Sequence, residues 1–133
     1  MRIAAPPRSG AGAVPTPRRL QRSRKKGART PEGVIYCGRP TIRGNPFDWR
    51  RFGIAHSVRL FRDWIDFKLS DLRLERLGFC PAEIEALHRR RERLLAELPH
   101  LRGCDLQCWC AVTARWCHVD ILLAKANAPE TAL

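Results

Sequence analysis

The sequence predicts a small single α/β domain, with a short, mostly parallel sheet joined by helical crossovers and a disordered basic arm in front of it. Three observations lead to this prediction. The chain has 133 residues, which is enough for one core. Its first 33 residues lack any apolar periodicity. The remainder reads as strand, helices, strand, helix, an order typical of parallel strands with a crossover, expected to be right-handed. We expect the domain to span 34–127, followed by a flexible tail over 128–133.

The segment 1–33 is rich in Ala, Pro, Gly, Ser and Arg, which bury too little apolar surface to offset the entropy of ordering. It carries nine Lys and Arg residues against Glu32 alone, a net charge of +8 out of +12 for the whole chain. A basic arm attracts polyanions through counterion release. We therefore expect weak, nonspecific nucleic-acid binding by residues 1–33, and expect the domain to fold without them.

Two segments have strand character. The β-branched and aromatic run 34–37 precedes Gly38, and residues 105–110 follow Gly103. Between 38 and 48 the density of Gly, Pro and Asn predicts a loop of defined shape. Two strands make a poor sheet, so we expect either a third strand near 47–52 or a partner chain that completes the layer.

Helical periodicity marks the other segments. Over 52–69, apolar residues recur at steps of three and four: Ile54, Val58, Phe61, Trp64, Ile65 and Leu69. Residues 71–78 add a further turn that ends at Gly78, and Pro81 occupies a first helical position for a helix that reaches about residue 98. A last helix is predicted over 117–126.

Six cysteines in a chain that begins without an apolar leader favour a reducing compartment over a disulfide framework, so we expect a cytoplasmic protein. Apolar residues make up 44% of the chain, yet no run approaches the roughly 20 residues of a membrane-spanning helix. We therefore expect a soluble protein with no membrane partner.

A Cys/His cluster near the end of the chain is the first candidate site. On a strand, Cys108 and Cys110 face the same side, and the start of a helix favours a thiolate at Cys117, beside His118. One interpretation is a pocket with Cys110 or Cys117 as catalytic thiolate and His118 as acid or base or as hydrogen-bond donor. A second is a zinc site of Cys108, Cys110, Cys117 and His118, although Cys-x-Cys is tighter than the usual pair. The third is simple burial of small residues.

The loop that begins at Gly38 is the second candidate site. Gly38 permits close backbone approach, Arg39 and Arg43 offer bidentate donors, and Asn45 supplies an amide, so the loop is suited to grip a phosphate or carboxylate. The alternative is a structural turn with two surface arginines. Because loops that follow parallel strands lie at the same sheet edge, we expect this loop and the Cys/His cluster to face one pocket.

Paired motifs carry a resemblance to a known family. They are Val34-Ile35-Tyr36-Cys37-Gly38-Arg39-Pro40, Gly44-Asn45-Pro46-Phe47, Leu101-Arg102-Gly103, Leu106, Cys108-Trp109-Cys110, Cys117-His118 and Asp120-Ile121-Leu122. Over residues 34 to 127 the chain resembles the family called domain of unknown function 4326, small proteins of bacteria and their phages. The resemblance implies that both motif regions form one site, and it implies no activity. Cys104, where a basic residue is usual, and a long 111–116 link depart from the family pattern.

The favoured functional hypothesis is a small ligand-binding or enzyme-like domain for a phosphate-bearing, nucleotide-like small molecule. Arg39, Arg43 and Asn45 would hold the anion, and Cys110, Cys117 and His118 would form the reactive wall. The alternative is a zinc-stabilised or plain α/β adaptor that binds nucleic acid through its basic arm. Neither hypothesis specifies a substrate, a reaction or an oligomeric state, and zinc is the one cofactor that the residue types suggest.

Overall fold

A three-stranded parallel sheet is the centre of the fold in the computed structural model, which describes residues 16–129. The strands are β1 (Arg19–Gln21), β2 (Ile35–Tyr36) and β3 (Leu106–Cys108). The order in the sheet is β1-β3-β2, so β3 lies in the middle and is buried along its length. Leu106 pairs with Arg19 on one side and with Ile35 on the other. The predicted α/β class with a short parallel sheet is confirmed.

The strand β1 lies inside the segment 1–33 that composition assigned to a disordered arm, and the predicted boundary at residue 33 is therefore corrected. The Arg18 amide donates to Asp105 Oδ1 at 2.9 Å, and the Leu106 amide donates to the Arg18 carbonyl at 3.0 Å. An edge strand of this kind is held by backbone hydrogen bonds to its neighbour, so its own residues need no apolar pattern. The remaining arm residues 1–15, and residues 130–133 of the tail, lie outside the described part of the chain.

The prediction of a third strand near 47–52 is wrong, because that segment forms the short helix α1 (Trp49–Phe52). The Asp48 carboxylate accepts a hydrogen bond from the Arg50 amide at 3.0 Å, a helix cap that competes with any extended conformation. The chain's own β1 supplies the third strand.

The chain continues with four further helices: α2 (Ile54–Ile65), α3 (Asp71–Arg76), α4 (Pro81–Leu101) and α5 (His118–Ala126). The single helix predicted over 52–69 is divided at Gly53, whose φ of +81° breaks helical geometry, and it ends before Phe67, whose φ is +60°. Ile54, predicted on the buried stripe, is 56% exposed. The predicted start at Pro81 and the last helix are confirmed.

The core lies among α2, α4 and α5, and α5 packs against the strands β1 and β3. Its largest fully buried side chains are Trp64, Phe47, Phe61, Leu60, Ile65, Leu74, Leu94, Leu101, Leu106 and Leu122. Because α5 contacts α2, α4, β1 and β3, its first residues are held firmly at the end of the central strand. No helix in the described part of the chain is long and apolar enough to cross a membrane.

Candidate functional site

A cavity of about 790 Å³ opens at the carboxyl ends of β2 and β3. Both of the regions singled out in the sequence line it, with Gly38, Arg39 and Asn45 on one side and Cys108, Cys110, Cys117 and His118 on the other. The parallel pairing of β2 with β3 explains the meeting, because the loops that follow the two strands emerge at the same edge. The expected convergence of the two regions is therefore observed.

Asn45 shapes the loop after β2. Its Nδ2 donates to the Ser57 hydroxyl at 2.9 Å and to the Ser57 carbonyl at 3.1 Å, while its Oδ1 accepts from the Phe47 amide at 2.9 Å. The Ser57 hydroxyl in turn donates to the Phe47 carbonyl. Asn45 is 8% exposed. With its donors and its acceptor used inside the fold, Asn45 acts chiefly as a brace between the loop and α2.

The two arginines of the loop point in different directions. Arg39 is exposed at the cavity, where its Nε donates to the Asn45 carbonyl at 3.2 Å and its Nη1 lies 3.5 Å from Asp48. Arg43 turns away: its Nε donates to the Tyr36 carbonyl at 2.9 Å, and its Nη1 forms an ion pair with Glu97 of α4. Arg43 is absent from the cavity wall, so the predicted pair of anion-binding arginines is reduced to Arg39.

A third arginine, Arg90 of α4, holds the loop after β2 through two hydrogen bonds to its backbone. Its Nη2 donates to the carbonyls of Thr41 at 3.0 Å and of Gly44 at 2.9 Å. Burial, followed by repulsion from Arg39 and Arg93, lowers the pKa of Arg90 from its ordinary value. These carbonyl partners are almost 50 residues away in the chain, so no local pattern of the sequence indicates this role for Arg90.

His118 ties the start of α5 to the loop. Its Nε2 lies 2.8 Å from the Cys37 carbonyl and 3.0 Å from the Arg43 carbonyl. Both partners are acceptors, so Nε2 must carry a proton and donate it. The ring packs edge-on against Phe61, with centroids 5.3 Å apart. Of the two roles predicted for His118, this geometry favours the hydrogen-bond donor over the acid or base.

Three thiols meet beside His118. The Sγ atoms of Cys108, Cys110 and Cys117 all lie within 4.8 Å of one another, and those of Cys108 and Cys117 are 3.3 Å apart. His118 does not join this group of potential ligand atoms, so the predicted four-residue metal set is reduced to three cysteines. Hydrogen bonds with Cys110 and then Cys117 raise the pKa of Cys108, and the hydrogen bond from Cys108 lowers the pKa of both partners. These shifts favour the thiolate form at Cys110 and Cys117 over Cys108.

Arg19 lies beside the thiols, although nothing in the sequence analysis singled it out. It belongs to β1, and its side chain is only 8% exposed beside the thiols. Its Nε pairs with Asp120 at 3.2 Å, and its Nη2 donates to the carbonyls of Val112 at 3.1 Å and Ala114 at 2.9 Å. Burial opposes its charge, yet a hydrogen bond with Cys117 and the charges of Cys117 and Asp120 leave the pKa of Arg19 raised. Among nine Lys and Arg residues in a segment without periodicity, no local signal distinguishes it.

Aromatic rings and arginines form the outer walls of the cavity. Tyr36, Trp49, Trp109 and Trp116 line it, and Tyr36 packs edge-on against Trp109 with centroids 6.4 Å apart. Arg22 and Arg24 of the basic segment stack over Trp109, with guanidinium carbons 5.1 and 4.5 Å from the ring centroid. Arg59 and Arg115 lie over Trp116 in the same way. None of the described residues that line the cavity is Asp or Glu.

Comparisons with known proteins give one match. The model of the family described as Domain of unknown function (DUF4326) matches residues 20–128, more than half of the chain. This match begins within β1, which agrees with the earlier start of the domain. No curated protein matches, and no solved structure matches.

Proposed function

This chain belongs to the DUF4326 family, and we propose that it binds a nucleotide-like small molecule, a planar ring that carries phosphate, in the cavity at the ends of β2 and β3. The observation that carries this proposal is the composition of the cavity wall, which combines four aromatic side chains with arginines and has no acid among its described residues. The volume of about 790 Å³ lies within the range of small-molecule sites.

Each part of such a ligand has a matching surface. A planar base stacks on indole rings, and Trp109 and Trp49, which are respectively 37% and 51% exposed, both line the cavity. A phosphate accepts bidentate hydrogen bonds from a guanidinium, and Arg39 and Arg115 lie in the wall. At Gly38, where the loop leaves β2, the Tyr36 hydroxyl occupies the place that a Cβ atom would take, so only glycine fits beside that ring.

The existing partner of Arg39 does not prevent anion binding. Asp48 is 3.5 Å from Arg39 Nη1, and both side chains are 44% exposed, so solvent screens this pair. A phosphate that displaces the contact gains a charge-assisted hydrogen bond in its place.

The test is titration of the full chain with a nucleoside monophosphate, its nucleoside and inorganic phosphate, followed by tryptophan fluorescence. Three of the four tryptophans line the cavity, so occupancy should quench the signal. We expect the nucleoside monophosphate to bind at least about 10-fold more tightly than either part, since each part forms only one of the two contacts. Equal affinity of phosphate and the complete nucleotide would contradict the proposal.

Matched variants separate the two contacts. Arg39→Gln should weaken binding of the nucleotide but not of the nucleoside, while Trp109→Ala should weaken both. Arg89→Gln serves as control for the first, because Arg89 is exposed on α4 and pairs with Glu85 away from the cavity. Leu72→Ala, at a 55% exposed position of α3, serves as control for the second.

Nucleic acid is a second candidate ligand, favoured by the stacking of Arg22 and Arg24 on Trp109. These arginines come from the basic segment and place positive charge beside Trp109, which lines the cavity. A single-stranded oligonucleotide would then bind with strong salt dependence. Binding of the oligonucleotide that exceeds mononucleotide binding and falls steeply with salt would favour this candidate. We place either activity in a reducing compartment such as the cytoplasm, because all six cysteines are free thiols.

A further inference from the structure

Cys108, Cys110 and Cys117 have the arrangement of metal ligands. The three Sγ atoms lie within 4.8 Å of one another, and two of them are 3.3 Å apart. In a tetrahedral zinc site with Zn–S bonds of about 2.3 Å, the sulfur atoms are separated by about 3.8 Å. We propose that these three cysteines bind one zinc ion as thiolates and that the fourth coordination position opens into the cavity.

The fold holds two of the proposed ligands, Cys108 and Cys117, in place without a metal. Cys108 ends the central strand, which is hydrogen-bonded on both sides, and Cys117 is the residue that precedes the first turn of α5. Between them, Arg19 Nη2 spans the connecting segment by donating to the carbonyls of Val112 and Ala114. A metal therefore needs to order few additional residues, which favours tight binding.

Arg19 supplies an independent observation that points to a negatively charged group at this place. Its side chain is more than nine-tenths buried, and it forms a hydrogen bond with Cys117. Asp120 is its carboxylate partner, 3.2 Å from Nε. Three thiolates around Zn²⁺ carry one net negative charge, and a buried guanidinium beside Cys117 offsets that charge and donates to sulfur.

The fourth position faces the cavity, and this part of the inference rests on the proposed function. His118 cannot supply Nε2 as the fourth ligand, because that atom donates to the carbonyls of Cys37 and Arg43. Cys110 and Cys117 line the cavity, and Cys110 is partly exposed. Zinc sites with three protein ligands and one open position leave room for water or for a ligand atom such as a phosphate oxygen.

The experiment uses the full chain, purified under reducing conditions without chelator. Elemental analysis should find about one zinc per chain. After the metal is removed, titration with Co²⁺ should produce a near-ultraviolet thiolate-to-cobalt charge-transfer band. In Cys110→Ser, we expect the affinity for Co²⁺ to fall by more than about 100-fold, beyond the effect of substitutions outside the ligand set. Because Cys110 is only partly buried, this variant should fold, as near-ultraviolet circular dichroism can verify.

The chain contains matched controls. Cys80 is exposed and Cys104 is partly exposed, and both lie outside the cluster. Cys80→Ser and Cys104→Ser should therefore bind Co²⁺ like the unsubstituted protein. Substoichiometric zinc together with no thiolate band would overturn the metal site. So would a loss of affinity in Cys80→Ser equal to that in Cys110→Ser, or a Cys108–Cys117 disulfide in protein kept from oxidants.

The open position has its own readout. Addition of inorganic phosphate to the Co²⁺ protein should shift the visible bands, since an oxygen ligand would enter the coordination sphere. Unchanged bands at saturating phosphate would overturn the open position. Nucleotide binding by the metal-free protein is followed separately by tryptophan fluorescence, so failure of the metal site and failure of the proposed function give different results.

Discussion

Arg19 and Asp120 form an ion pair, with Arg19 Nε 3.2 Å from Asp120 Oδ1, that joins the first strand of the domain to its last helix. The Arg19 side chain is 8% exposed and the Asp120 side chain is 51% exposed, so the guanidinium is buried while the carboxylate lies at the surface. The same guanidinium holds the connecting segment between β3 and α5 through two carbonyls. A single side chain thus braces three parts of the fold around the thiol cluster.

We predict that Arg19→Met lowers the free energy of unfolding of the metal-free protein by about 2 kcal/mol, because the carbonyls of Val112 and Ala114 lose a charged donor and Asp120 loses its ion-pair partner. Urea denaturation in the presence of chelator would measure this loss. Arg18→Met is the matched control: the Arg18 side chain is 71% exposed and lies 3.8 Å from Asp105, so its loss should cost less than about 1 kcal/mol. Equal losses in the two variants would contradict the bracing role.

Truncation tests the corrected start of the domain. Residues 1–15 have no apolar periodicity, so after their deletion the thermal midpoint should stay within a few degrees. Deletion of residues 1–24 removes β1, including the hydrogen bond from the Leu106 amide to the Arg18 carbonyl, and should cost roughly 3 kcal/mol or more. Thermal melts of both truncated chains would measure the difference. Equal thermal midpoints of the two truncated chains would show that β1 is dispensable for folding.

Gly44 lies where the loop after β2 passes closest to its own beginning. A Cβ atom at this position would meet the Arg39 amide nitrogen at 3.0 Å and the Gly38 carbonyl carbon at 3.1 Å, both of them backbone atoms. We predict that Gly44→Ala destabilises the protein by about 1–3 kcal/mol, because the backbone cannot yield as a flexible side chain would. Gly27→Ala is a useful comparison, since no atom lies within 4 Å of a Cβ there, although its φ of +81° adds a conformational cost. A smaller loss at Gly44 than at Gly27 would contradict the close approach.

The buried thiol of Cys37 predicts a dependence of stability on alkaline pH. Burial raises the pKa of Cys37 to about 12 from an ordinary value of 9.0. As pH rises above 9.0, the Cys37 thiol loses its proton in the unfolded chain before it does so in the folded protein. The contribution of this thiol to the free energy of unfolding is therefore complete below 9.0 and decreases between 9.0 and about 12. Urea denaturation at pH 8 and pH 10.5 should show a smaller loss for Cys37→Ala than for the unsubstituted protein. An equal loss of stability between pH 8 and pH 10.5 in the two proteins would exclude the raised pKa of Cys37.

Local patterns determined much of this fold. Pro81 marks the start of α4, the apolar spacing of residues 58–65 marks most of α2, and the alternation at Cys108 and Cys110 marks the end of a strand whose thiols meet. These features depend on neighbours within four residues in the chain, where helix and strand geometry alone sets the arrangement. The order of elements was sufficient to predict a parallel pair of strands and therefore a shared edge for the two candidate regions.

Tertiary structure alone decided the rest. β1 has no apolar pattern and exists because the edge of β3 offers hydrogen bonds to it. Arg39 and Arg43 are the same residue type in one loop, yet Glu97 of α4 draws Arg43 away from the cavity. Arg19 enters the site from a segment more than 85 residues before the thiols that it contacts. In each case the partner is distant in the chain, and the energy that selects the conformation arises only when the two segments meet.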